Sequence, residues 1–208
     1  WTGYKNHVSA AIFTPASSKG IPISVNPIRL PEKKEANKTV FTEEEIIQAI
    51  EGATTALCSF LHFDPEKDDG RLVSGFLNRL FKYYYDTGQT LADIPTLATV
   101  VEQLPGDASK LAEGYIKSSL RQKLGMLLRA SLEGMRGHLL THGVQLDIER
   151  LIQPRNGKTP VNIFYLNTLP SVELKQFFIA VLVNQIYQWM LTQTSSGTVV
   201  PLRLILYI

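Results

Sequence analysis

The sequence is poor in the residues that usually announce a site. It holds a single cysteine, Cys58, which excludes an intrachain disulfide framework and a cysteine-rich zinc centre and fits a reducing, cytoplasmic setting. Net charge is small as well. Twenty-one basic against 19 acidic residues leave +2, so any claim on nucleic acid must rest on a local cluster. The first residues carry no charged-then-apolar leader pattern. Long apolar runs are also missing. The best, Val172 to Met190, is broken by Glu173, Lys175, Gln176, Asn184, Gln185 and Gln188, whereas a membrane span takes about 20 mostly apolar residues. It reads as a buried helix, and no membrane partner is expected.

What is present is an ordinary globular composition, 44% hydrophobic and 9% aromatic, enough for one large domain or two small ones. The chain begins at Trp1 and stops inside an apolar run, Leu204 to Ile208. Chain ends are usually polar and frayed, so both are expected to be cut from something longer.

Periodicity divides the 208 residues into three parts. In the first, 1–41, Val8 to Phe13 is a β-rich run halted by Thr14-Pro15, and Ser17-Ser18-Lys19-Gly20 is a turn. Ile21 to Ile28 is extended, because Pro22 and Pro27 exclude a helix, and a charged linker follows. The second part, 42–153, reads as all-helical. Thr42-Glu43-Glu44-Glu45 is a capping box opening a helix whose apolar residues Ile46, Ile50, Ala53, Leu57 and Leu61 recur every three or four positions. A second helix carries Leu72, Phe76, Leu77, Leu80, Phe81 and Tyr84 and closes at Asp86-Thr87-Gly88. A third is expected from Thr90 to Leu104, and a fourth from Asp107 towards Leu140, weakened by Gly125, Gly134 and Gly137 so that it bends or breaks near its end. In the third part, 154–208, a turn at Pro154 to Lys158 precedes a strand (Val161–Leu166), a helix (Val172–Leu191) and a last strand (Val199–Ile208). That βαβ order favours a parallel sheet, so the fold class is α/β with a helical block inside it.

Few constellations carry chemistry. His138 and His142 are spaced to face one metal on a helix, yet no glutamate or third ligand accompanies them, so no metal site is expected. Cys58 lies between Leu57 and Phe60 on an amphipathic helix and reads as core. Glu66, Asp68 and Asp69 lack the alternating spacing of a calcium loop. Ser17 to Gly20 has the wrong order for a phosphate loop, and prolines follow it. The strongest charge cluster is Lys117, Arg121, Lys123, Arg129 and Arg136. Such a stripe lines a DNA phosphate track, reaches a neighbouring subunit's nucleotide, or is simply a solvated helix face.

Three stretches resemble the HerA-like branch of the P-loop ATPases, relatives of FtsK. They are Ile12-Phe13-Thr14-Pro15-Ala16-Ser17-Ser18-Lys19-Gly20-Ile21-Pro22-Ile23-Ser24-Val25-Asn26-Pro27, then Leu91-Ala92-Asp93-Ile94-Pro95-Thr96-Leu97, and Val161-Asn162-Ile163-Phe164-Tyr165-Leu166-Asn167-Thr168-Leu169-Pro170. The resemblance implies an incomplete P-loop core whose helical insertion lies between the Walker A loop and the Walker B acids. The loop would precede Trp1. The acids, one holding Mg²⁺ and one activating water, would follow Ile208. It further implies ATP and Mg²⁺ as cofactors of the parent protein, and a hexameric ring that moves DNA, often beside a nuclease. No catalytic residue is then expected within this chain. Asn167, where the family tends to show Asp, and Thr168 would lie at the nucleotide edge of the sheet. Lys117, Arg121, Lys123 and Arg129 would contact DNA or the neighbouring subunit. The rival expectations are a helical protein-interaction module and a basic DNA-binding module without ATPase activity.

Overall fold

The small and β-branched residues after a short helix α1 (Thr2–His7) form strand β1 (Val8–Pro15) in a computed structural model that describes residues 2–31, 41–194 and 204–205. Strand β2 (Ile21–Ser24) lies parallel to β1, pairing Phe13 with Ile21, Thr14 with Pro22 and Pro15 with Ile23. Parallel neighbours usually need a crossover of a dozen or more residues. Here a loop from Ala16 to Gly20 suffices, because β2 overlaps only the far end of β1. Ala16 takes φ 53°, and the Thr14 hydroxyl holds the loop, donating to Ser17 O (2.7 Å) and accepting from Gly20 N (3.1 Å).

The capping box forms as the sequence predicts. Glu45 N donates to Thr42 Oγ1 (3.2 Å) and Thr42 N to Glu45 Oε2 (2.7 Å), opening α2 (Glu43–Phe60). Its C-terminus is closed by His62 at φ 61°, a place usually given to glycine, with His62 N on Ser59 O and Phe63 N on Cys58 O. Helix α3 (Asp68–Asp86) follows and ends at Gly88, φ 69°. The third helix starts later than periodicity predicts. Asp93 accepts from Thr96 N (2.8 Å), so α4 is Ile94–Gln103.

The helical stretch expected from Asp107 towards Leu140 is three helices, α5 (Ser109–Ala112), α6 (Ser118–Ala130) and α7 (Gly134–Thr141): the break near its end is the expected one, and the break between α5 and α6 is not. The breaks fall at Gly114 and Gly134, both at positive φ, where glycine adopts a left-handed turn without steric cost. The block read as all-helical also contains a strand, β3 (Val144–Gln145), too short to show a period, then helix α8 (Ile148–Leu151). A tight turn at Asn156 and Gly157 (φ 53° and 73°) leads into β4 (Thr159–Phe164), and helix α9 (Val172–Thr194) completes the described order. All but Leu204 and Ile205 of the last predicted strand, and nearly all of the charged linker, lie outside the described residues.

The four strands are all parallel, in the order β3-β2-β1-β4. The helical block therefore leaves from β2 and returns to its immediate neighbour β3. Helices cover one face of the sheet. On that face Phe13 stacks on Phe164 (5.6 Å), which meets Phe178 of α9 (5.5 Å). Helix α2 lies antiparallel on α9, with Phe60 stacked on Phe177 at 4.2 Å and Tyr187 Oη donating to Gln48 Oε1 at the other end. Sheet and helices share one continuous core.

The opposite face is different. Ile12 pairs with Ile163 and Ala10 with Val161, so these four point the same way. Ile12 is 51% and Ile163 44% exposed, whereas Phe13 between them is 5% exposed. The loop Ala16–Gly20 shields only the Thr14 end of this face.

Candidate functional site

The C-terminal edge of a parallel sheet is where such folds hold ligands, because helix N-termini and loops converge there. Beyond β4, residues Leu166–Thr168 form one turn of 3-10 helix, which places Asn167 and Thr168 at that edge, as expected from the sequence. The Thr168 hydroxyl bridges two strand ends, lying 2.8 Å from Pro15 O and 3.1 Å from Tyr165 O. Its proton is thereby engaged within the fold. Asn167 is exposed. Among the described residues no group of three His, Cys, Asp or Glu is placed to hold a metal ion. The edge therefore offers a hydroxyl and an amide, and the residues present do not make a site for Mg²⁺ and a triphosphate.

The basic residues of α6 have neighbours of their own. Arg121 Nη1 donates to Val101 O (2.5 Å) and Glu102 O (2.6 Å), satisfying carbonyls at the end of α4 that lack helical partners. Arg129 grips Glu102 with two hydrogen bonds, and Lys123 reaches Asp69 at 3.4 Å. The Arg129 bond holds the Glu102 carboxyl below its ordinary range. Lys117 is exposed and makes no such bond to a described residue. Arg121 and Arg129 thus meet at the end of α4, Lys123 turns to the start of α3, and the four do not form one open stripe.

Tertiary packing assembles a polar cluster that no sequence spacing announces. Arg136 of α7 donates to Phe60 O (2.9 Å), lies over the Phe60 ring and hydrogen-bonds His62 Nε2. Glu173, at the start of α9, is held below the usual carboxylate range by its own backbone amide and the Ser171 hydroxyl, then by His62 and Arg136. Arg136 ties the end of α2 to α7, and the charge of Glu173 at the start of α9 faces the pair of Arg136 and His62. Only the charge of Arg136 was legible beforehand, not its partner 76 residues away in sequence.

His138 and His142 stack at 5.3 Å, and Ser18 Oγ lies 2.9 Å from His142 Nε2, tying the Ala16–Gly20 loop to the end of α7. Cys58 is buried, and burial pushes its thiol up to about 11, so it is not poised as a nucleophile. No helix of the described residues is long and apolar enough to cross a membrane. Compared with known proteins, the chain matches no family model, no curated protein and no solved structure.

Proposed function

We propose that this chain is the insertion-bearing part of an ATP-driven, DNA-translocating motor of the HerA/FtsK-like kind, cytoplasmic and ring-forming, whose phosphate- and Mg²⁺-binding groups lie outside these 208 residues. The observation that carries the proposal is the one-sided parallel sheet. All-parallel sheets are normally covered by helices on both faces, because both sides of their strands are apolar. Here Ala10, Ile12, Val161 and Ile163 line a face turned to solvent, and β4 has no strand on its outer side among the described residues. Those are the features of a sheet that continues into further strands and helices. The helical block, bounded by adjacent strands β2 and β3, sits as an insertion does in such a sheet. Asn167 and Thr168 stand at the edge where the nucleotide of the completed core would lie.

A free-standing basic DNA-binding module has less in its favour. Of its four candidate contact residues, Arg121, Lys123 and Arg129 already bond within the chain, and exposed Lys117 alone makes no such bond to a described residue.

The test is the reading frame on either side of this chain. A Gly-x-x-x-x-Gly-Lys-Ser/Thr loop upstream of Trp1, with an Asp-Glu pair directly after Ile208, supports the motor reading. A stop codon after Ile208, or an upstream frame without the loop, removes it. Stoichiometric ATP turnover by the purified chain alone also counts against it.

A further inference from the structure

The loop that follows β2 and the turn between α3 and α4 enclose a cleft of about 440 Å³, within the range of small-molecule sites. It opens beyond the C-terminal ends of β2 and β3, at the other end of the strand order from β4 and Thr168. Its walls are pinned to each other: Asn26 Nδ2 donates to Ala92 O at 2.7 Å, while Asn26 Oδ1 accepts from Ile28 N at 3.1 Å. Buried Ile28 and Tyr84 supply an apolar lining, and half-buried Tyr85 stands beside them. Gln89 and Gln145 add amides at the rim.

Among the described residues that line it, Arg29 is the only charged side chain. Its Nη1 faces Asp147 Oδ2 in a long ion pair of 3.6 Å, while Asp147 Oδ1 accepts from Arg150 N at the start of α8. Arg29 makes no hydrogen bond to a described residue, so a fork of N–H donors is open to an anion. The Tyr85 phenol is held above its ordinary range by burial and then by Asp86, so it stays a neutral ring and donor.

We propose that this cleft binds a small anion carrying a planar ring, its carboxylate or phosphate on Arg29 and its ring against Tyr84 and Tyr85. The assignment does not depend on the ATPase reading: the cleft lies at the β2–β3 end of the same C-terminal edge, and Arg29, Tyr84 and Tyr85 have no part in that reading.

Isothermal titration with adenosine 5′-monophosphate, benzoate and inorganic phosphate tests it. The expected result is saturable binding of at least one ring-bearing anion with Kd below about 1 mM, and phosphate alone weaker by about tenfold or more. Tighter binding of benzoate assigns an aromatic carboxylic acid, and tighter binding of the nucleotide assigns a nucleotide. Arg29→Gln should weaken the better probe by about tenfold or more, through loss of charge-assisted bonds. Tyr85→Leu should weaken it about threefold while phosphate binding stays unchanged. If Arg29→Gln fails to melt cooperatively, Tyr85→Leu alone decides. No saturable binding up to about 10 mM, wild-type affinity in either folded variant, or phosphate binding as tightly as the ring-bearing anions overturns the assignment.

Discussion

Arg129 and Glu102 join α6 to α4 through two parallel hydrogen bonds, 2.8 Å from Nε to Oε1 and 2.7 Å from Nη2 to Oε2. The pair forms where Gly125 lets the two helices approach, since a Cβ there would lie 2.6 Å from Glu102 Cγ. A basic residue that reads as a candidate contact for DNA is thus the strut between two helices of its own chain.

The Arg129 bond depresses the Glu102 carboxyl in the folded state. A lowered carboxyl stabilises the fold above its ordinary value, and that contribution is lost as pH falls through the folded value. Arg129 is exposed and Glu102 half-exposed, so solvent screens the pair and the effect is small. Thermal melts from about pH 7 down to pH 3 should show Glu102→Gln slightly less stable at neutral pH, with the difference from wild type vanishing in acid. A constant difference across the range would contradict the pairing.

Two glycines should answer differently to alanine. At Gly137 an added Cβ lies 1.7 Å from the backbone oxygen of Leu132, which cannot move without breaking the α7 turn, so Gly137→Ala should cost about 3 kcal/mol or more. At Gly125 the obstacle is the Glu102 side chain, which can swing away, so Gly125→Ala should cost only about 1 kcal/mol and release Arg129. Denaturant melts of the two variants check the order, and equal costs would contradict it.

Burial raises the Cys58 thiol from 9.0 to about 11. The unfolded chain loses this proton first, so the stability tied to the neutral thiol is complete below pH 9 and declines as pH rises towards about 11. The full difference is on the order of 2–3 kcal/mol. Comparing wild type with Cys58→Ala removes the common background, including Tyr84 and Tyr85, whose phenols are also raised by burial. Native protein should resist thiol reagents at pH 7. Rapid native labelling would show the side chain to be open.

The bare sheet face gives the prediction closest to function. Because Ile12 and Ile163 are about half exposed, Ile12→Lys with Ile163→Lys should change stability by less than about 1 kcal/mol and suppress concentration-dependent association in sedimentation. A large loss of stability would mean that the face is packed within this chain.

Loss of the α2 cap should be visible as well. Thr42→Ala removes the acceptor for Glu45 N and is expected to lower stability by about 1 kcal/mol, whereas Thr42→Ser should retain it. Equal losses would argue that the box contributes nothing.

Local signals were read well wherever the interaction is local. The capping box at Thr42 and Glu45, the β-run after Val8 and the long apolar helix after Pro170 follow from neighbours within one helical turn or one strand. The break at Gly134 was open between bend and break, and that at Gly114 was not legible, because glycine only weakens a helix and what the next segment packs against decides whether it ends. Strand β3 was illegible, since two residues carry no period and its place comes from pairing with Ile23 and Ser24. The candidate site was half legible: the position of Asn167 and Thr168 at a strand end followed from the sequence, while the engagement of Thr168 by Pro15 did not.

The sequence by itself determined the α/β class, the mainly helical character of the middle of the chain, the small net charge of +2 and the absence of a disulfide framework. These depend on composition and on periods of two and three to four residues, which short-range sterics and burial impose. Tertiary structure alone decided the strand order, the bare face of the sheet, the internal partners of Arg121, Lys123 and Arg129, and the cleft around Arg29. Each joins residues far apart in sequence, and such contacts are chosen by which surfaces the whole chain can bury together.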